Sequence, residues 1–215
     1  MTKVFLSAGH GGSDPGAVAN GLKEKDINLQ ILLACKAELE RHGVTVICSR
    51  TKDSNDPVKD EVKEANVSGA VIAVAFHTNA GGGDGSETFY FSTSVNGKKL
   101  ATLCEKRVKE IGQNSRGIKA GDKLYFIKNT KMVAALCECA FVDNKTDKNI
   151  IDTTAEQKKF GIAYAKAILE YLGIEYKPSA TYVVQVGVYS NLDNANTALK
   201  KAKAAGFKDA FIQKQ

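Results

Sequence analysis

The sequence predicts an α/β protein: a three-layer α/β/α arrangement around a mostly parallel central sheet, followed by a small βαβ module. Three observations carry that reading. Short β-branched or aromatic runs alternate with runs whose apolar residues recur at helical spacing. Such alternation builds parallel sheets, because each parallel pair needs a crossover, usually a helix. The run Ala70–Phe76 is apolar throughout, as a strand buried on both faces requires. A second, shorter strand–helix–strand pattern follows a break at Pro178 and Ser179.

In order, Val4–Leu6 reads as a short strand ending in Gly-His-Gly-Gly. Asp26–His42 reads as a helix with Ile27, Ile31, Leu32, Cys35 and Leu39 on one face and Gly43 as its stop. His42 then suits the last turn, where the helix dipole favours it. Val44–Cys48 is a strand, and Pro57–Val67 a helix with Pro57 in its first turn. After the Ala70–Phe76 strand come a strand at Glu87–Ser92, a helix at Gly97–Ile111, strands at Leu124–Ile127 and Val133–Ala140, and an amphipathic helix at Thr154–Leu172. The module is expected as a strand at Tyr182–Val188, a helix at Leu192–Ala205 and a strand at Ala210–Ile212. Residues 1–175 are thus expected to form one domain, 176–181 a linker and 182–215 a module too small to bury a core alone.

The chain has 215 residues, 43% of them hydrophobic, which is enough for a sizeable core and argues against disorder. Net charge is +6, and residues 177–215 supply +4 of it through six Lys against Asp193 and Asp209. A basic tail suits a polyanion, or is simply a solvated face. Cys35, Cys48, Cys104, Cys137 and Cys139 form no CxxC pair and read as buried apolar residues. No segment approaches the ~20 apolar residues of a membrane span. The opening apolar run is shorter than the roughly 7–15 residues of a signal-peptide core. Synthesis in the cytoplasm, with action at the wall after release, is the corresponding expectation.

Three residues stand out chemically. His10 lies in the Gly9–Gly12 turn at a strand end, where glycines bend the backbone and leave room around an imidazole. His77 follows the buried strand Ala70–Phe76, so both imidazoles can converge on one edge of a parallel sheet. Two imidazoles and a carboxylate make a standard catalytic zinc set. Spacing alone leaves the third ligand open among Glu24, Asp14 and Asp26. Glu138 is a carboxylate inside the apolar run Met132–Phe141, costly unless paired and therefore a candidate base. No serine-nucleophile elbow or phosphate loop is present.

Four segments together, Ser7–Ala17, Gly21–Glu24, Phe76–Ala80 and Leu136–Asn144, resemble the zinc N-acetylmuramoyl-L-alanine amidases of the amidase type 3 family, in order over residues 1–173. The resemblance implies His10, Glu24 and His77 as ligands of one Zn²⁺ per catalytic domain, and Glu138 as the catalytic glutamate. It also implies hydrolysis of the amide joining the lactyl group of N-acetylmuramic acid to the L-alanine of the stem peptide. Asn79 and Arg50 fall near matching strand ends and are expected to bind substrate or orient the site. Ser7 and Ala8 stand where the family usually has Asp-Pro, and Ala75 where it commonly has Ser, which removes possible supporting hydrogen bonds. The tail resembles half of a sporulation-related repeat module that binds peptidoglycan glycan strands. Peptidoglycan is the partner implied, with an anionic wall polymer or glycan, or a second copy of the chain, as ligand of the tail. Nucleic acid and membrane insertion are not expected. A phage endolysin for host lysis is the leading use; a host mother-cell lytic amidase and a zinc carboxypeptidase acting on stem peptides are the alternatives.

Overall fold

The computed structural model describes residues 2–179 and 185–214. The chain divides into two compact units, Met1–Lys177 and Pro178–Gln215. The first holds strands β1 (Lys3–Ala8), β2 (Val18–Ala19), β3 (Leu22–Lys23), β4 (Thr45–Cys48), β5 (Ile72–Asn79), β6 (Ser86–Tyr90), β7 (Ser115–Ala120) and β8 (Val133–Phe141). Its helices are α1 (Glu24–Arg41), α2 (Val58–Val67), α3 (Val95–Lys109), α4 (Tyr125–Asn129), α5 (Lys145–Ile151) and α6 (Thr154–Leu172).

Six strands form one sheet in the order β4-β1-β5-β8-β6-β7, and β2-β3 is a separate two-stranded ribbon. Pairings within the sheet are parallel except β6 with β8, so the sheet is mostly parallel, with β6 and β7 running against the rest. Period-two alternation sorts the core. Val4, Leu6, Ile72, Val74, Phe76, Ala135 and Cys137 pack under α1, α3 and α6. Phe5, Ala73, Ala75, Ala134 and Leu136 pack under α2 and α4. His77 continues the Ala73–Ala75 row and Glu138 the Ala134–Leu136 row, so both belong to the α2/α4 face. Cys35, Cys104, Cys137 and Cys139 are buried and unpaired.

Several sequence expectations need correction. Leu124–Ile127 is not a strand: α4 occupies this region, because Phe126 and Ile127 pack on the smaller core from one turn of helix. A short apolar run does not distinguish the two by periodicity. The edge position goes instead to β7, whose SRGIKA sequence carries little strand signal. Charge and glycine are the marks of a protected edge. His77 lies inside β5, not after it, and Asn79 is the last residue of that strand.

In the second unit, α7 (Leu192–Ala204) forms as expected, capped by the Asn191 side chain on the Asp193 N–H. Ala210–Ile212 is not a strand, and Gln185–Tyr189 has no regular structure. Residues 182–184 of the expected strand lie outside the described residues. Among the described residues of this unit no second strand offers a ladder partner.

Unit one ends in a clasp. The Tyr176 ring stacks on His42 with centroids 5.2 Å apart, and Lys166 Nζ lies 4.7 Å from the Tyr176 centroid. His42 caps α1, its Nδ1 lies 2.7 Å from the Glu38 carbonyl, and its Nε2 accepts the Lys177 N–H at 2.9 Å.

Candidate metal centre

The β1–β2 loop carries His10 in the left-handed region (φ 65°), which an ordinary side chain adopts at a cost. Hydrogen bonds hold that conformation. Gly11 and Asp14 exchange both backbone bonds, at 2.9 and 3.0 Å. The Lys25 ammonium donates to the Gly12 carbonyl at 2.8 Å and pairs with Asp53 at 2.7 Å, and Asp53 accepts the Gly12 N–H. Arg50 is 4% exposed and donates to the backbone carbonyls of Ala8 at 2.9 Å and Lys25 at 2.8 Å. Its guanidinium is therefore committed beneath the loop. That placement suits orientation of the loop, one of the two roles expected of Arg50.

Around this loop three donors converge. His10 Nε2 lies 3.3 Å from Glu24 Oε2, and His77 Nδ1 lies 3.0 Å from Glu24 Oε1. One ligand atom from each of His10, Glu24 and His77 falls within 4.8 Å of the others. Of the two other carboxylates the sequence left open, Asp26 is exposed, and Asp14 sits on the far side of His10, 2.8 Å from Nδ1. A carboxylate there fixes the ring and turns Nε2 inward. Glu24 is anchored at the start of α1 by the N–H groups of Ala17 at 2.9 Å and Thr78 at 3.0 Å. Asn28 donates to the Gly9 carbonyl at 3.0 Å and accepts the Thr78 hydroxyl at 2.8 Å, locking α1 to β5.

Two glycines make the space. A Cβ on Gly9 would fall inside the His77 imidazole, and a Cβ on Gly16 would lie 2.6 Å from Glu24 Oε2 and 2.7 Å from His10. Gly16 also has φ +64°.

The electrostatics suit a cation. The Glu24 carboxylate holds a proton on His10, raising its pKa to about 9 against the opposing effect of burial. Burial pushes Glu24 up, but the two imidazoles overcome it and hold the carboxylate well below its usual range. Burial lowers His77, and Glu24 and Glu138 together more than reverse it.

Glu138 on β8 is the register partner of His77 on β5. Burial raises it to about 7, opposed by His77 and reinforced by Glu24 and Glu87. Its Oε2 is buried and has no hydrogen-bond partner among the described residues. An orphaned buried oxygen carries a cost that a polar ligand would relieve.

A family model described as N-acetylmuramoyl-L-alanine amidase matches residues 4–170. The chain belongs to that family. A second model, the SPOR domain, matches residues 178–215. The sporulation-specific N-acetylmuramoyl-L-alanine amidase of Bacillus subtilis is 31% identical over 100% of this chain and 86% of its own length. The endolysin of Bacillus phage SPP1 is 38% identical over 81% of this chain and 67% of its own. The solved catalytic domain of CwlV, an N-acetylmuramoyl-L-alanine amidase from Bacillus (Paenibacillus) polymyxa var. colistinus, superposes with a TM-score of 0.76 at 29% identity, covering 81% of this chain and 100% of that one.

Within this amidase the sequence did not reveal every residue at the site. Glu87 is 5% exposed, is the antiparallel register partner of Glu138, accepts Asn79 Nδ2 at 3.2 Å, and pairs with Arg116 and Lys119. Its Glu-Thr-Phe-Tyr context reads only as a strand. Glu61 on α2 is 2% exposed and lifted to about 7 by burial, with the Ser7 hydroxyl opposing. Ser7 thus has a partner of its own. Asn79 is half-buried, with its Oδ1 on the Ala80 N–H and its Nδ2 on Glu87. Asp14 yields a prediction: Asp14→Asn is expected to weaken binding of a metal ion at this cluster by roughly 10–100-fold while leaving the fold intact. Competition against a chromophoric chelator measures it, and an unchanged affinity contradicts the orienting role.

Proposed function

We propose that residues 1–175 are a zinc-dependent catalytic domain that hydrolyses the amide between N-acetylmuramic acid and L-alanine in peptidoglycan. The observation that carries this reading is the convergence of His10, Glu24 and His77 on one point beside Glu138. Two neutral imidazoles and a carboxylate fit zinc and leave a coordination position open. The same family membership and cluster favour this bond over the stem-peptide bonds of a carboxypeptidase.

In this reading His10, Glu24 and His77 would hold the ion, which when bound lowers the pKa of water and polarises the amide carbonyl. Glu138 takes the proton of the attacking water and returns it to the leaving nitrogen of L-alanine. Asp14 and Asn28 keep His10 and Glu24 in place, and Arg50 fixes the loop that carries His10. Asn79, half-buried at the end of β5 beside Glu87, would meet substrate through the Nδ2 hydrogen and Oδ1 lone pair that Glu87 and Ala80 leave over. Digestion of purified walls tests this reading. It predicts new amino-terminal alanine, no new reducing sugar, loss with a chelator and recovery with zinc. A new amino terminus at another residue would overturn the bond assignment.

Residues 182–215, after a linker at 176–181 whose first two residues pack on unit one, are proposed as a wall-glycan-binding and self-association module. The SPOR match and the net positive charge support the first role. For the second, α7 buries no residue, and Val186, Val188, Leu192, Phe207 and Phe211 are exposed. So small a unit gains its core from a second copy. Sedimentation should show the full chain as a dimer and Phe207→Glu as a monomer; a monomeric wild type contradicts the pairing.

Use as a phage endolysin is supported by the endolysin match. Use as a host sporulation amidase is favoured by the match that spans the whole chain. Transcript induction by prophage activation or by sporulation separates the two.

A further inference from the structure

We propose that Arg116 and Lys119 form a carboxylate-binding subsite that selects the acidic stem peptide on the leaving-group side. The inference rests on the amidase reading above and adds a specificity determinant to it.

One row of side chains crosses the sheet at the site. His77 on β5 is the register partner of Glu138 on β8, and Glu138 is the partner of Glu87 on β6. β7 continues the row, because Glu87 lies at the register shift between Ser86↔Ser115 and Thr88↔Ile118 and pairs there with Arg116. Arg116 Nε donates to Glu87 Oε2 at 2.7 Å, and Lys119 Nζ donates to the same oxygen. Burial pushes Glu87 up, but these two cations overcome it and hold the carboxylate ionised. Two cations against one buried anion leave the cluster net positive.

The cations are held yet open. The Arg116 side chain is 40% exposed and that of Lys119 39%, whereas that of Glu87 is 7%. Only Nε of Arg116 has a hydrogen-bond partner among the described residues, and the guanidinium lies over the Phe141 ring, 5.1 Å from its centroid. An Arg fixed through Nε and stacked on a ring presents its terminal N–H groups as a fork for a carboxylate.

Spacing selects the ligand. Strands lie ~4.8 Å apart, so β7 stands roughly 10 Å from β8, and the Arg116 side chain reaches back toward Glu87. An extended peptide advances ~3.4 Å per residue, so the second residue of the stem lies about 7 Å beyond the scissile amide. The glycan side of that bond is made of neutral sugars, whereas the peptide side carries carboxylates. The matched ligand is a free carboxylate on the stem residue after L-alanine.

The test uses the zinc-loaded full chain and two soluble N-acetylmuramoyl tripeptides, identical except that the second residue carries a free carboxylate or a carboxamide. Wild type is expected to favour the free acid about tenfold in kcat/KM, mainly through KM, as one charge-assisted fork supplies. Arg116→Gln should bring that ratio close to one with zinc content unchanged, and Arg116→Lys should retain part of it. Lys119→Met should lower the ratio less. A wild-type ratio near one, or an Arg116→Gln effect equal on both substrates, overturns the subsite. The equal effect would mean that Arg116 acts through Glu87 and Glu138 alone. If wild type cleaves neither compound yet digests walls at another bond, the amidase reading itself has failed.

Discussion

Glu138→Gln is expected to abolish turnover almost completely while leaving the metal bound. The substitution is nearly isosteric, so the β8 backbone and its register with His77 stay as they are. What goes is the only function assigned to the residue, proton transfer, which contributes roughly 10²–10⁴-fold in rate. His77→Ala should behave differently and lose the metal with the activity, because it removes a ligand and leaves Glu24 with one imidazole fewer. Metal analysis beside wall-digestion rates separates the two. Near wild-type digestion by Glu138→Gln would remove Glu138 from the mechanism. The pH profile carries the same information with a definite sign. The base must be ionised, so activity falls as pH drops through the Glu138 pKa. Burial raises that group to about 7, and a bound cation beside it pulls the value down. The acid limb of kcat/KM should therefore lie below about 7. It should be absent from the residual rate of Glu138→Gln.

Gly9→Ala is expected to destroy the metal site without touching a ligand. The added methyl would occupy the volume of the His77 imidazole, which passes directly over this glycine. Gly9 is tied on both sides, its N–H to the Phe76 carbonyl at 3.0 Å and its carbonyl to Asn28 at 3.0 Å, so the backbone has nowhere to retreat. His77 must rotate away, breaking its 3.0 Å approach to Glu24. Loss of one of three ligands should reduce the bound zinc to substoichiometric levels, with activity falling in parallel. The unfolding temperature of the metal-free protein should change far less than that of the zinc-loaded protein, since binding adds stability only to a site that can bind. Full zinc occupancy in Gly9→Ala would show that the ring lies elsewhere.

Much of this was legible in the sequence, for physical reasons that differ by residue. His10 and His77 stand out because His is rare here and each follows an apolar run that reads as a strand, and the parallel sheet brings them to one edge. Glu138 stood out because a carboxylate in an apolar strand demands an explanation. Glu24 could not be chosen over Asp14 or Asp26 by spacing. The choice depends on which carboxylate the β1–β2 loop folds back upon, and that is set by Lys25, Arg50 and Asn28 from elsewhere in the chain. For Arg50 the sequence leaves substrate binding and orientation open, because nothing local shows that four backbone carbonyls surround it. Glu87 was hidden because its partners, Arg116 and Lys119, lie on β7, an edge strand with almost no sequence signature. The α4 segment reads as a strand because burial of Phe126 and Ile127 favours either element, and only the packing against α2 decides.

X-ray absorption at the zinc edge of the zinc-loaded full chain tests the central claim most directly. The account predicts one zinc per chain, with two imidazole nitrogens and oxygen donors at about 2.0–2.2 Å and no sulfur. A sulfur shell near ~2.3 Å would move the metal to the buried cysteines, and it would contradict a centre built from His10, Glu24 and His77.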